Sequence, residues 1–261
     1  MFKKKELLND IQQFGIKPDD TVLIHSSMKA IGKVEGGGDT VIDSFMEYFK
    51  DGLLVFPTHT WEQMNETDNY FDYEKEPSCV GVLTNLFMKR EGVFRSLHPT
   101  HSVAAFGKNA ADFVSGEEFL HTPCPRNGCW GKLYDMDAKI LFIGCTLRTN
   151  TIIHGVEEWC NIPNRLTLKT HRYLIKLKDD SVIEKQFYRH DSPHGDVSKN
   201  YGKLEKPLVK TGIAKKGRFG NAEATICQTK AMVDLTKRFL ARNPDLFADD
   251  KAIPPDTLNT I

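Results

Sequence analysis

KILFIGCTLRTNTIIHGVEEW, residues 139–159, is the stretch from which the fold class can be read. Ile140 to Ile143 form a short apolar run between Lys139 and Gly144. No polar residue alternates with the apolar ones, so the run reads as a strand covered on both faces. Thr146 to Asn150 form a segment that is polar apart from Leu147, and a helical pattern follows in which His154 stands three residues before Glu157 and four before Glu158. On a helix those spacings place an imidazole and a carboxylate on one face. A histidine oriented by a carboxylate can accept a proton near neutral pH. Taken alone, the stretch favours a plainer reading, an ordinary helix start in which His154 and Glu157 merely pair.

Composition narrows the classes. The chain has 261 residues, 40% hydrophobic and 27% charged, enough to bury a substantial core in a globular protein. Thirty-five Lys and Arg balance 35 Asp and Glu, which argues against a general nucleic-acid binder. No apolar run approaches the length that spans a bilayer, and MFKKKELLND carries lysines without an apolar stretch behind them. A cytoplasmic location is expected. The six cysteines are read as reduced thiols, since a chain of this size needs no disulfide staples. His121, Cys124 and Cys129 cluster in HTPCPRNGC, but a zinc site needs a fourth ligand and tighter paired spacing. No metal is expected.

Upstream of the opening stretch, residues 3–14 carry Leu7, Leu8, Ile11 and Phe14 at helical spacing before Gly15. The β-rich run TVLI ends at Ile24, followed by Ser26, Ser27, the glycines Gly36 to Gly38 and a helix whose N-cap is expected near Asp39 or Thr40. Small residues let backbone amides approach a ligand, and a helix start favours negative charge, so an anion-binding turn is preferred to a bare connection. It is neither a Walker A sequence nor a dinucleotide fingerprint. A second buried strand, Leu53 to Phe56, ends at Pro57, and THTWEQMN lies just beyond, where open α/β sheets place ligands. The loop ETDNYFDYEKEP mixes acidic and aromatic residues; it suits a cationic or sugar-like ligand and would look much the same as a solvated loop.

Residues 81–89 read as a helix. In FRSLHPTHSVAAFG, Ser96, His98, His101 and Ser102 crowd a Pro-containing turn before a strand from Val103 to Phe106. A helix around Asn109 to Phe113 and a loop from His121 to Trp130 lead into the opening stretch. Beyond Arg165, THRYLIKLKDDSVIEKQFYRH alternates around Asp179-Asp180-Ser181 as a β-hairpin. DSPHGDVSKNYGKLEKPLVKTG is turn-rich, and the final helix runs from about Thr229 to Leu240, before Pro244.

Four blocks, in order, resemble the aminoglycoside 3-N-acetyltransferase family, the antibiotic N-acetyltransferases outside the GNAT fold. They are VLIHSSMKAIGKVEGGGDTVIDSF from Val22, FRSLHPTHSVAAFGKNA from Phe94, ILFIGCTLRTNTIIHGVEEW from Ile140 and GIAKKGRFGNAEATICQTKAMVDL from Gly212. The resemblance implies an α/β fold: a single α/β/α layered domain over residues 1–261, with a central mixed sheet and an added β-hairpin region in the C-terminal half. It implies acetyl-CoA as donor, held by the segment containing His25, Ser26, Ser27, Lys29, Ile31, Gly32, Val34, Gly36 and Gly37, with Ser102 beside it. It implies that His154 is the base, with Glu157 and Thr151 as its catalytic companions. Asp72, Glu74, His98, Asn150 and Asp191 are the candidate acceptor contacts.

The chemistry expected is direct transfer to an amine, with Thr151, Ser102 or a backbone amide opposite the developing oxyanion and no acyl-enzyme on Cys145. Two departures from the family stand out. Cys129-Trp130 replaces the usual Ser-Pro, and RHDSPHGDVSKNYGKLE is shorter and more basic than the acidic stretch that resistance enzymes direct at polycationic antibiotics. The acceptor is accordingly expected to be an aminoglycoside or related amino sugar, with a non-antibiotic amine, such as an amino sugar of a surface polysaccharide, as the alternative. A hydrolase using Ser102, which lacks a G-x-S-x-G elbow, and a CoA-binding homologue without turnover are the competing classes. A monomer or homodimer is expected, with no nucleic acid or membrane as partner.

Overall fold

The computed structural model describes residues 1–259. Among the described residues, ten strands form two sheets. The larger has the order β4 (Phe94–Arg95), β5 (Val103–Gly107), β2 (Leu53–Pro57), β1 (Thr21–Ser26), β6 (Lys139–Ile143), β10 (Ala222–Gln228) and β9 (Ala214–Phe219). Its three central strands, β2, β1 and β6, run parallel, and the pairs on either side are antiparallel. The smaller sheet has the order β3 (Tyr70–Phe71), β7 (His171–Lys176) and β8 (Val182–Phe187), and β7–β8 is the hairpin expected around Asp179 to Ser181. It closes its own core of Met64, Phe71, Leu97, Tyr173, Ile175 and Phe187.

Strand alternation sorts the main core into two layers. Leu23, Ile140 and Phe142 pack on one face with α6 (Cys129–Asp135), α7 (Thr151–Trp159) and α9 (Thr229–Arg242). Val22, Ile24, Leu141 and Ile143 pack on the other with α1 (Lys4–Gln13), α3 (Gly37–Tyr48) and α4 (Val82–Phe87). The apolar runs lack alternation because both faces of the parallel strands are covered. After β1 the chain enters α3 on one face, and after β6 it enters α7 on the other. The crevice beyond the carboxyl ends of β1 and β6 is therefore a topological switch point, the usual ligand position in an open α/β sheet. Among the described residues, no helix is long and apolar enough to cross a membrane. All six cysteines are free.

Several local readings need correction. The loop expected from His121 to Trp130 gives way at Cys129 to helix α6, whose seven residues are too few to show a period. The turn-rich segment after Asp191 folds into a 3₁₀ helix, Val197–Leu204, and then α8 (Glu205–Lys210). The stretch before α9 contributes the β9–β10 hairpin, which turns at Gly220-Asn221. Helix α3 starts at Gly37 with Gly36 as its cap, not at Asp39 or Thr40, because Gly36 at φ 74° supplies a left-handed entry that a residue with a side chain adopts only under strain.

Gly144 directly follows β6 and precedes Cys145, which lines the crevice. Its φ is +64°, and a Cβ there would stand 2.2 Å from the Ala30 Cβ on α2 (Met28–Ile31) and 3.3 Å from that of Ala222 on β10. Gly144→Ala combines left-handed strain with overpacking, so a loss of about 2–4 kcal/mol is expected. Urea unfolding of the purified variant measures it; a loss below about 1 kcal/mol would show that α2 yields without cost.

Candidate active site

A cavity of about 660 Å³ occupies the crevice. β1 contributes Ile24, His25 and Ser26, and β2 ends in Pro57, placing His59 next to it. A 3₁₀ turn, Leu147–Thr149, capped by Thr146, leads into α7, so Arg148, Asn150, Thr151 and His154 line the next wall. The segment after β8 closes the far side with Arg189, His190, Asp191 and Asp196.

His154 is held from behind. Its Nδ1 lies 2.7 Å from the Tyr201 hydroxyl, and that hydroxyl donates to Glu157 Oε2 at 2.6 Å. Glu157 Oε1 accepts from Arg165 Nε at 2.7 Å. Burial raises the Glu157 pKa, while Tyr201 and the Arg165 guanidinium oppose that rise. With the carboxylate charged beside Arg165, the single Tyr201 proton goes to Glu157. The Tyr201 oxygen then accepts from His154 Nδ1–H, and the lone pair is left on Nε2. Glu157 lies 3.9 Å from Nδ1, beyond hydrogen-bond reach, and acts through Tyr201.

Glu158 faces another partner. His190 Nε2 lies 2.8 Å from its Oε1, which also accepts from the Cys124 amide at 2.9 Å. The His190 ring stacks on that of His154, with centroids 4.2 Å apart and planes 17° from parallel. His101 lies 4.9 Å from His190 and 4.8 Å from His59, whose Nε2 is 2.9 Å from the Thr151 hydroxyl. Burial, reinforced by neighbouring imidazoles, holds His154, His59 and His101 well below the ordinary histidine pKa. Burial takes His190 down to about 3 and pushes Glu158 up to about 7. The file of rings is therefore neutral at physiological pH.

Of the residues expected at the site, His25, Ser26, Asn150, Thr151, His154 and Asp191 line this cavity, with Glu157 directly behind. The others are engaged elsewhere. Ser27 caps α2, Lys29 is exposed, and Ile31 and Val34 are core residues. Gly32, Gly36 and Gly37 take positive φ along the approach to α3. The Ser102 hydroxyl is buried, donating to the Thr58 carbonyl at 2.8 Å and accepting from Arg95 Nε at 3.2 Å. Asp72 and Glu74 both pair with Lys176 of β7, at 3.7 and 2.9 Å. His98 is buried, its Nε2 3.0 Å from the Thr122 carbonyl. Sequence reasoning missed Tyr201, Arg165, His59 and His190 as site residues; only His59, just past a strand end, carried a local signal.

Among the described residues, four buried polar atoms on the cavity's lining residues have no hydrogen-bond partner: Asn150 Oδ1, His25 Nε2, His59 Nδ1 and Arg165 Nη2. Unsatisfied groups of this kind are rare in folded proteins and fit a polar ligand with both donors and acceptors.

Residues 23–241 match the family described as aminoglycoside 3-N-acetyltransferase. Aminoglycoside N(3)-acetyltransferase IV from Salmonella sp is 24% identical over 249 residues, covering 94% of this chain and 90% of that protein. The solved structure of AAC-IIIb in binary complex with CoASH superposes with a TM-score of 0.81 at 19% identity, covering 92% of this chain and 97% of that one. A variant of aminoglycoside acetyltransferase AAC(3)-IVa in complex with apramycin gives 0.79, at 21% identity, covering 98% of this chain and 96% of that one.

Proposed function

Because the chain belongs to the aminoglycoside 3-N-acetyltransferase family of acyltransferases, we propose that it transfers the acetyl group of acetyl-CoA to an amine of a sugar-like acceptor, with His154 as general base. The observation that carries this reading is the Glu157–Tyr201–His154 chain, which leaves Nε2 as the imidazole's only unpartnered nitrogen on the cavity wall.

The residues present fit the donor. Asn150 Oδ1 is an unused acceptor for an amide N–H of the kind the pantetheine arm carries, and Ile24, Pro57 and Val80 offer apolar wall. The thioester supplies an acetyl group with a leaving group that needs little help. The acceptor's amine attacks only when unprotonated, so a proton must pass to the protein. His154 Nε2 takes it as the C–N bond forms and the C–S bond breaks, with the electron pair leaving on sulfur. The imidazolium so formed hands its Nδ1–H toward Tyr201, which is already polarised by Glu157. Asp196 also favours the charged form. Thr151 and the wall of neutral imidazoles set the distance between base and acceptor without adding charge.

The test is CoA-thiol release from acetyl-CoA with and without a panel of amino sugars. Release that depends on an amine supports transfer. Release without one supports hydrolysis, which the engaged Ser102 hydroxyl disfavours. No release, together with a CoA-dependent rise in melting temperature, would indicate a binding module.

Tyr201→Phe removes the link between Glu157 and His154. The imidazole loses its tautomer control and Glu157 Oε2 loses a donor, so kcat is expected to fall about 10- to 100-fold with KM little changed. Steady-state kinetics on variant protein of unchanged melting temperature check this; an unaltered kcat would remove Tyr201 from the relay.

A further inference from the structure

The charges on the cavity wall do not match a polycation. Arg148, Arg165 and Arg189 line it against two carboxylates, Asp191 and Asp196. Asp196 is already engaged: its Oδ1 accepts from the Ser198 amide and hydroxyl, and its Oδ2 lies 3.4 Å from Arg148 Nη2. Asp191 accepts from the Ser192 amide at 2.8 Å. Arg189 donates to the carbonyls of Met64 and Trp61, and among the described residues it pairs with no carboxylate. Arg165 spends its Nε on Glu157, while its buried Nη2 has no hydrogen-bond partner and only the exposed Asp245 carboxylate at 3.7 Å. A ligand with four or five ammonium groups would set several of them against guanidiniums, which costs affinity directly. A ligand with one amine and one anionic group has a place for each: the amine toward His154, the anion toward the arginines.

We infer that the acceptor is an amino sugar bearing its own carboxylate or phosphate, read by Arg148, which lines the same cavity as His154. The inference rests on the acetyl-transfer reading and narrows it. Arg148 is the arginine free to act. Its side chain is 62% exposed and its one ion pair, to an Asp196 that is 55% exposed, is long, so it can turn toward an anion at little cost. A guanidinium grips a carboxylate or a phosphate through paired N–H donors, which gives the preference over a neutral sugar.

The test compares glucosamine, glucosamine 6-phosphate, a 2-amino-2-deoxyuronic acid and kanamycin as acceptors, with the full chain and saturating acetyl-CoA. At least one anionic amino sugar is expected to exceed both glucosamine and kanamycin in kcat/KM by about tenfold or more, the scale of one charge-assisted contact. Which of the two leads separates carboxylate from phosphate. Arg148→Ala should raise KM for that acceptor about tenfold while KM for acetyl-CoA stays within about twofold. The inference is overturned if kanamycin is the best acceptor, if glucosamine and its anionic forms suffer equally from the substitution, or if KM for acetyl-CoA rises instead, which would give Arg148 to the donor's phosphates. If no amine is acetylated, calorimetric titration of the CoA-loaded protein with the same four compounds decides. Tighter binding of an anionic sugar than of kanamycin keeps the anion-recognising role of Arg148 while the transfer reading falls, and the reverse order ends both.

Discussion

His154→Asn should lower kcat for amine-dependent thiol release by about 10²- to 10⁴-fold while CoA binding stays intact, the range lost when a positioned general base is removed. Asparagine keeps an N–H near the Nδ1 position, able to reach the Tyr201 hydroxyl, and deletes the Nε2 lone pair. It therefore separates proton acceptance from packing. Burial holds the His154 imidazole well below the ordinary pKa, so the base is unprotonated at neutral pH, and the acid limb of the rate profile belongs to the amine and to other groups. The competing route is an acyl-enzyme on Cys145, which also lines the cavity. Burial raises that thiol's pKa, and the Thr149 hydroxyl donating to its Sγ at 3.6 Å opposes the rise only in part, so the thiolate needed for attack is scarce. Cys145→Ala should leave turnover within about threefold, since an inert thiol contributes only packing. A His154→Asn enzyme with undiminished turnover, or an S-acetyl group trapped on Cys145, would each end the direct-transfer mechanism.

What the sequence displayed was whatever depends on local period. The runs at Val22, Leu54 and Ile140 stand out because both faces are buried, and α3, α7 and α9 because one face is. The β9–β10 hairpin was obscured by Lys215, Lys216 and Arg218 in the edge strand β9, whose solvent face carries charge as edge strands commonly do. At the site, His154 and Glu157 were legible as a spacing on one helix. Their connection was not, because Tyr201 arrives from 44 residues away in a 3₁₀ helix with no apolar repeat to announce it. The same limit applies to Asp72 and Glu74. Read as a loop they look free for a ligand, but β3 pairs with β7, and that pairing brings Lys176 to both. Glu157 and Glu158 share a helical face, so spacing could not separate them; Tyr201 and His190, both distant in sequence, assign one carboxylate to each imidazole.

The buried imidazoles also make the fold acid-sensitive. Below their unfolded pKa of 6.5 the histidines of the unfolded chain take up protons, while in the folded protein burial holds His25 and His190 at about 3 and His98 at about 4, with His59, His101 and His154 also well below 6.5. These are depressed folded pKa values, so their stabilisation is complete above pH 6.5 and is lost as pH falls from there toward the folded values. Glu117 and Glu158 act in the opposite sense. Burial raises each to about 7, so they favour the folded state below their unfolded value of 4.5 and lose that contribution as pH rises through 7. Between pH 7 and 5.5 the six imidazoles outweigh the two carboxyls, so the net change is a loss of stability. Urea midpoints measured at intervals across that range should fall steeply, and a flat profile would mean that the imidazoles are hydrated in the folded protein. His25→Phe isolates one contributor: His25 stacks on Phe142 at 5.2 Å with its Nε2 unpartnered, so phenylalanine keeps the contact and removes the titration. The slope at pH 5.5 should then lessen by about 1 kcal/mol per pH unit. The wall of neutral rings that leaves His154 unprotonated thus brings an acid limit on stability, which sets in as pH falls below about 6.5, where the histidines of the unfolded chain begin to charge.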